Sequence, residues 1–193
     1  MDFFASFPHL VRSLALLAPV GLLRELPEDY EELRQTTKNG RGEEELRSQL
    51  RLVLGVETEA EDKAVDERLG FDPAAVVKWQ FEKHEGHVAS FTSTLQYGPL
   101  QNQHEVWKDV GTLLGLRSKS ARERHGDRSR QRLMVICGRE DDVVPAEHLR
   151  EDLDDMMDAE EFVFKTVPGT HGFLLYIESC EEIVALLARE WKL

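Results

Sequence analysis

The sequence is poor in cysteine and lacks a long apolar run. Cys137 and Cys180 are the only cysteines among 193 residues, too few for a disulfide framework, so a reducing compartment and a cytoplasmic location are expected. The most apolar stretch, residues 13–23, is shorter than the roughly 18 to 20 residues that a transmembrane helix needs, and Pro19 interrupts it. A secretory signal is disfavoured because Asp2 stands where positive charge is expected. The sequence therefore predicts no membrane span.

Basic residues are also few relative to acidic ones. The chain contains 24 Lys and Arg against 37 Asp and Glu, which gives a net charge of −13. General binding to nucleic acid or to anionic lipid is therefore not expected. Hydrophobic residues make up 41% of the chain and charged residues 32%, a composition typical of a globular chain with a core rather than of a disordered one.

The order of apolar segments predicts an α/β fold. Residues 11–18 form an apolar run without alternation, which is typical of a parallel strand buried on both faces. Residues 133–137 and 161–167 are predicted as two further strands. Helical spacing of apolar residues follows each of them, at 145–157 and at 179–191. Ser179 and Glu182 have the spacing of a capping box at the start of the last helix. A succession of strand, helix, strand and helix implies a parallel sheet with right-handed crossovers.

The segment between the first two strands has a different composition. From residue 24 to residue 72, acidic residues outnumber basic ones by 15 to 8, and pieces such as residues 43–55 show helical spacing of leucine and valine. Residues 24–116 are therefore predicted to form a mainly helical layer, with one helix beginning at Pro73. Residues 117–132 carry seven basic and two acidic residues, which predicts an exposed basic loop.

Two loops at the carboxyl ends of predicted strands carry polar side chains. Asp141 and Asp142 follow the strand 133–137, and His171 follows the strand 161–167. Because the carboxyl ends of parallel strands meet at one edge of a sheet, the acid and the histidine are placed to meet there. A carboxylate in that position fixes the imidazole tautomer and stabilises the imidazolium. Either Asp141 or Asp142 could be this acid, although Asp142 is better explained as the cap of the following helix.

These two loops resemble those of the α/β-hydrolase superfamily, in its serine-hydrolase branch. The acid loop, residues 138–145 (G-x-x-D-x-x-V-P), is similar to the family's acid loop, and the histidine loop, residues 168–173 (P-G-x-H-G-F), is similar to its histidine loop. Residues 3–19 (FFASFPHLVRSLALLAP) are similar to the segment that follows the family's nucleophile, a helix end and then the sixth strand. The resemblance implies a partial hydrolase fold: three parallel strands, the sixth to the eighth of the family, with flanking helices and an inserted helical cap.

The resemblance also implies a division into domains and an activity. The core would comprise residues 1–23 and 133–193, the cap residues 24–116, and the basic exposed loop residues 117–132. The complete enzyme would hydrolyse an ester, amide or similar bond of a small, partly apolar substrate, with neither metal nor organic cofactor. The resemblance makes His171 the general base and Asp141 the acid that orients it.

The nucleophile of that family is missing from the sequence. The family needs a G-x-S-x-G elbow that precedes the acid and the histidine, and none of the nine serines, at positions 6, 13, 48, 90, 93, 118, 120, 129 and 179, lies between glycines at that spacing. Met1 falls inside the helix that should follow the elbow, as expected for a truncated product, an alternative start or an incomplete gene model. The chain alone is therefore expected to be inactive.

Several alternatives remain open from the sequence. The missing nucleophile could be Asp instead of Ser, as in epoxide hydrolase and dehalogenase relatives. The chain could also be a non-catalytic pseudo-enzyme or a protein-interaction module, with the unpaired edge of the sixth strand or the basic loop 117–132 as its docking surface. Such an edge is an association site, so self-association is expected.

Other candidate residues have ordinary explanations. His84, Glu85 and His87 lack the spacing of a zinc motif and an evident third ligand, so a surface helix is expected there. Cys137 lies in a predicted buried strand without a neighbouring base, so an unreactive thiol is expected. Core packing explains at least half of the aromatic residues that could line the cap: Trp79, Phe81, Phe91 and Trp107.

Overall fold

The computed structural model describes residues 1–38, 46–48, 50, 70, 72–84, 86–123 and 132–192. The chain divides into two compact units, one made of residues 1–24 and 99–193 and the other of residues 25–98. Residues 99–116, which the sequence prediction assigns to the cap, are thus counted with the first unit. The described helices are α1 (Asp2–Ser6), α2 (Glu28–Lys38), α3 (Pro73–Lys83), α4 (His87–Tyr97), α5 (His104–Glu123), α6 (Ala146–Met156) and α7 (Ile177–Trp191).

The first unit contains a three-stranded, all-parallel sheet. Its strands are β1 (Leu14–Leu17), β2 (Leu133–Gly138) and β3 (Phe162–Val167), in the order β1-β2-β3. Leu133 lies opposite Leu14 in β1 and opposite Phe162 in β3. The α/β class and the parallel sheet predicted from the sequence are confirmed for the described part of the chain.

The central strand of the sheet explains why its sequence is apolar without interruption. Every residue of β2 is buried, as expected of a parallel strand that is covered on both faces. On one face, Met134 and Ile136 of β2 pack with Ile183 and Leu186 of α7. Phe173, from the short 3-10 helix Phe173–Leu175, belongs to the same cluster. This cluster holds the chain that follows β3 against the sheet.

Helix α5 differs from the sequence prediction. Residues 117–123, which were expected to begin an exposed loop, continue the helix. The stretch contains no glycine or proline and is rich in good helix formers. The guanidinium of Arg117 also lies 5.5 Å from the centre of the Phe4 ring, and it donates a hydrogen bond to the carbonyl of Arg12 at 3.1 Å. The rest of the predicted loop, residues 124–131, lies outside the described residues.

The described residues of the second unit are mainly helical, as the sequence predicts for this part of the chain. It contains α2, α3 and α4, with residues 46–48 and 50 also in helical conformation. Leu33, Leu50 and Phe81 are fully buried there. Most of the predicted helical segment 43–55, namely residues 43–45, 49 and 51–55, lies outside the described residues, as do residues 56–69. Among the described helices of both units, none has the length and apolar character that a membrane crossing requires.

Candidate active site

The two side chains that the sequence singles out are in contact. The Nδ1 atom of His171 lies 3.0 Å from Oδ2 and 3.2 Å from Oδ1 of Asp141. The acid loop leaves β2 and the histidine loop leaves β3, and these two strands are hydrogen-bonded neighbours in the sheet. The contact therefore forms where the carboxyl ends of two parallel strands lie side by side, the usual position of reactive groups in such sheets.

The carboxylate of Asp141 is held by backbone groups of its own loop. Its side chain is fully buried, and Oδ1 accepts hydrogen bonds from the amides of Val143 at 3.0 Å and Val144 at 2.8 Å. With His171 as a third donor, the buried carboxylate has the partners that burial of a charged group requires. Asp141 therefore presents its carboxylate to the histidine in a fixed orientation.

His171 is partly open to solvent. Its side chain is 41% exposed. An ionised carboxylate only accepts hydrogen bonds, so Nδ1 carries the proton and the lone pair of the neutral ring lies on Nε2. The hydrogen bond to Asp141 raises the pKa of the imidazole, burial opposes this, and the charges of Asp141 and Asp142 add to the increase. The ring is therefore oriented and electrostatically prepared to take up a proton at Nε2.

Asp142 does not have the role that the sequence predicts for it. Helix α6 begins after Pro145, and no side chain caps it. The backbone amides ahead of the helix bond to Asp141 instead, through Val143 and Val144. Asp142 is exposed and acts on His171 through its charge. The prediction that Asp142 caps the helix is therefore wrong.

The histidine loop is also tied to the first turn of α7. Ser179 is buried, and its hydroxyl donates a hydrogen bond to the carbonyl of Pro168 at 2.7 Å. The sequence predicts Ser179 as the cap of the last helix, but the helix begins at Ile177 and the hydroxyl bonds to the loop instead. Gly169 adopts a positive φ of 111°, which a glycine accommodates without strain. The Pro-Gly turn thus directs the chain from β3 toward His171.

Glu140 is a contact of this site that sequence reasoning missed. Its backbone amide donates to the carbonyl of Gly169 at 3.1 Å, and its carboxylate accepts from the amide of Gly169 at 2.7 Å. One residue earlier, the amide of Arg139 donates to the carbonyl of Val167 at 2.8 Å. An exposed glutamate in a charged loop carries no distinguishing sequence signal, because its partner is a backbone amide 29 residues away.

The thiol closest in sequence to the site is not a nucleophile. Cys137 is fully buried in β2. Burial, with a smaller contribution from the charge of Asp141, raises the pKa of this thiol to about 12. A thiol rather than a thiolate is therefore present at neutral pH, in agreement with the expected lack of reactivity.

The described residues offer no metal centre. No group of three or more potential ligands among His, Cys, Asp and Glu occurs in the part of the chain that the structure describes. The ring of His87 packs edge-on against Phe81, with 6.2 Å between the ring centres, and Glu85 lies outside the described residues. Packing against Phe81 therefore accounts for His87, and His84 is exposed.

Comparison of the chain with protein-family models, curated proteins and solved structures gives no match. The geometry of this site and the sequence of its two loops are therefore the features from which a function can be inferred.

Proposed function

We propose that this chain is the carboxyl-terminal part of an α/β-hydrolase that cleaves an ester, amide or similar bond of a small, partly apolar substrate. The observation that carries the proposal is the contact between Asp141 and His171 at the carboxyl ends of two neighbouring parallel strands. The order of the two residues along the chain, acid before histidine, also agrees with that family.

In the proposed reaction His171 acts as the general base and then as the general acid. Its Nε2 removes the proton of a serine hydroxyl as the serine oxygen attacks the carbonyl carbon of the substrate. The imidazolium, stabilised by Asp141, then gives this proton to the leaving group as the acyl-enzyme forms. In the second half-reaction the same nitrogen takes a proton from water as the water oxygen attacks the acyl carbon. The imidazolium then returns this proton to the serine oxygen as the acid product leaves.

The serine of this reaction comes from polypeptide outside the 193 residues, since the sequence contains no G-x-S-x-G. Strand β1 has a free edge in the described sheet. A parallel strand that leads into the elbow would pair with β1 at this edge. If that elbow carried aspartate in place of serine, the same pair would activate water in the manner of an epoxide hydrolase or a dehalogenase.

The first test is to sequence the complete transcript upstream of Met1. The proposal predicts an in-frame strand, G-x-S-x-G and helix. A complete transcript that encodes neither Ser nor Asp at such an elbow contradicts it.

The second test is labelling with a serine-directed fluorophosphonate probe. The 193-residue chain should remain unlabelled, and the extended chain should be labelled at the elbow serine. In the extended chain, we expect His171→Ala to remove labelling and Asp141→Asn to lower turnover by on the order of 10⁴-fold. His148→Ala, on the exposed side of α6, is the matched control and should keep full activity. Hydrolytic turnover by the unextended chain would contradict the proposal.

A second candidate is a non-catalytic interaction module, and one surface feature favours it. Phe3 and Phe7, at the start of the chain, are 60% and 47% exposed, and the centres of their rings lie 5.4 Å apart. Exposed apolar side chains of this size are common at binding surfaces when they occur together. The transcript distinguishes the two candidates, because an interaction module needs no elbow.

A further inference from the structure

Besides the contact between Asp141 and His171, three hydrogen bonds connect the acid loop to the end of β3 and the chain that follows it. Two of them are made by Glu140, one through its backbone amide and one through its carboxylate, and both go to Gly169. The third joins Arg139 to Val167 and continues the ladder of the sheet. Glu140 therefore makes the last links between the two loops before the chain reaches His171.

We propose that Glu140 is a positioning residue, which holds His171 against Asp141 by fixing Gly169 of the histidine loop to the acid loop. This inference rests on the proposed function insofar as Asp141 and His171 are catalytic. The position of His171 against Asp141 is a property of the folded chain, whatever reaction the protein catalyses. Gly169 lies two residues before His171, and Glu140 immediately precedes Asp141. A displacement at this link thus moves the imidazole relative to the carboxylate.

The proposed action is through the hydrogen bond and not through the charge of Glu140. The charges that act on His171 are those of Asp141 and Asp142. The carboxylate of Glu140 is directed to the amide of Gly169, at 2.7 Å. A hydrogen bond from an amide to a carboxylate is among the stronger ones in proteins, but it weakens steeply when the distance increases. The length of the side chain at position 140 should therefore matter more than its charge.

Two substitutions separate the length of the side chain from its charge. Glu140→Gln removes the charge but keeps an oxygen at the same reach, so its amide oxygen can still accept from Gly169. Glu140→Asp keeps the charge but is shorter by one methylene group, so the bond is lost. We expect the first variant to behave like the wild type and the second to behave like Glu140→Ala.

The readout is the titration of the His171 ring, followed by NMR in the intact 193-residue chain. In Glu140→Ala and Glu140→Asp, the pKa of His171 should fall toward that of an ordinary histidine, because the contact with Asp141 is weakened. In Glu140→Gln it should stay at the wild-type value. Glu147→Ala, an exposed carboxylate in the first turn of α6, is the matched control and should change nothing. Circular dichroism establishes that each variant is folded.

The inference also predicts that the effect passes through Asp141. In the Asp141→Asn background, Glu140→Ala should leave the pKa of His171 unchanged, which a double-mutant cycle measures. The inference is overturned by a wild-type titration in both Glu140→Ala and Glu140→Asp, by an equal fall in Glu140→Gln, or by an undiminished effect without Asp141. Because the titration needs no substrate, its outcome is independent of whether the complete protein is a hydrolase.

Discussion

Gly138, the last residue of β2, lies directly against the histidine loop. A Cβ atom built on Gly138 would stand 2.5 Å from the carbonyl oxygens of both Gly169 and Thr170. Because both oxygens belong to the backbone, no side-chain rotation could relieve their clash with this Cβ atom. The close approach of the acid and histidine loops, and with it the contact between Asp141 and His171, therefore requires glycine at this position.

Gly138→Ala should destabilise the fold and disturb the pair together. The added methyl group must displace the histidine loop, and overpacking of this kind costs about 1–3 kcal/mol. We expect urea to unfold the variant at a lower concentration and the pKa of His171 to fall. Gly86→Ala is the control, because a Cβ there meets no atom closer than 3.8 Å. Wild-type unfolding and titration of Gly138→Ala would show that the loops tolerate the extra atom.

Asp141→Asn should lower the pKa of His171 and change how stability depends on pH. The pKa of His171 is raised in the folded chain, mainly by the hydrogen bond to Asp141. The protonated pair therefore contributes stability that is fully present below the pKa of unfolded histidine, about 6.5. This contribution is lost as the pH rises through the higher pKa of the folded state. The stability difference between wild type and variant should thus be larger at pH 6 than at pH 8.5.

Urea unfolding at both pH values, together with the NMR titration, measures this effect. Asp142→Asn is the matched control, because Asp142 raises the pKa of His171 through its charge alone and is the last of the contributions. Its effect should have the same sign and a smaller size. A pH-independent difference between wild type and Asp141→Asn would contradict an ionic contact between Asp141 and His171.

The part of the site that could be predicted is the part that depends on the sheet. Two strands are readable from their composition, and the sequence predicts 133–137 and 161–167 where the structure has Leu133–Gly138 and Phe162–Val167. Parallel pairing of these strands is enough to bring Asp141 and His171 to one edge. Strand β1 is less well predicted. The sequence predicts a strand over residues 11–18, but only Leu14–Leu17 form one.

The contacts that could not be predicted are hydrogen bonds between distant segments. Asp142 and Ser179 have the positions and residue types of helix caps, yet the loop amides bond to Asp141 and the serine hydroxyl bonds to Pro168. Local sequence favours caps because their partners are three residues away. It contains no signal for a partner on another loop, and for the same reason Glu140 was not singled out.

Cys137 should resist alkylation in the folded chain. With a thiol pKa of about 12, only about one molecule in ten thousand carries a thiolate at pH 8, and burial blocks access as well. Cys180 is only half-buried. Mass spectrometry after iodoacetamide treatment should find Cys180 modified in the folded chain, and Cys137 modified only in urea.

The Cys180→Ser variant is the control, and it should take up no label until it is unfolded. Equal rates of modification at the two cysteines in the folded state would contradict the burial of β2.

Leu17→Lys should reduce self-association of the 193-residue chain. Strand β1 lies at the edge of the described sheet, and Leu17 at its end is 39% exposed. An unpaired apolar edge pairs with other chains, and a lysine there opposes pairing because its ammonium group would lose water without gaining a partner. The loss should exceed the ~1.4 kcal/mol that corresponds to a tenfold weaker association.

Sedimentation velocity over a range of protein concentrations measures this association. The wild type should sediment faster as the concentration rises, and Leu17→Lys should do so only at concentrations more than about ten times higher. Val184→Lys places the same charge on the exposed face of α7 and should associate like the wild type. If both lysine variants associate equally, the contact lies elsewhere on the surface. If a chain extended by a further parallel strand stays monomeric while the 193-residue chain associates, the edge of β1 is the surface through which the 193-residue chain associates.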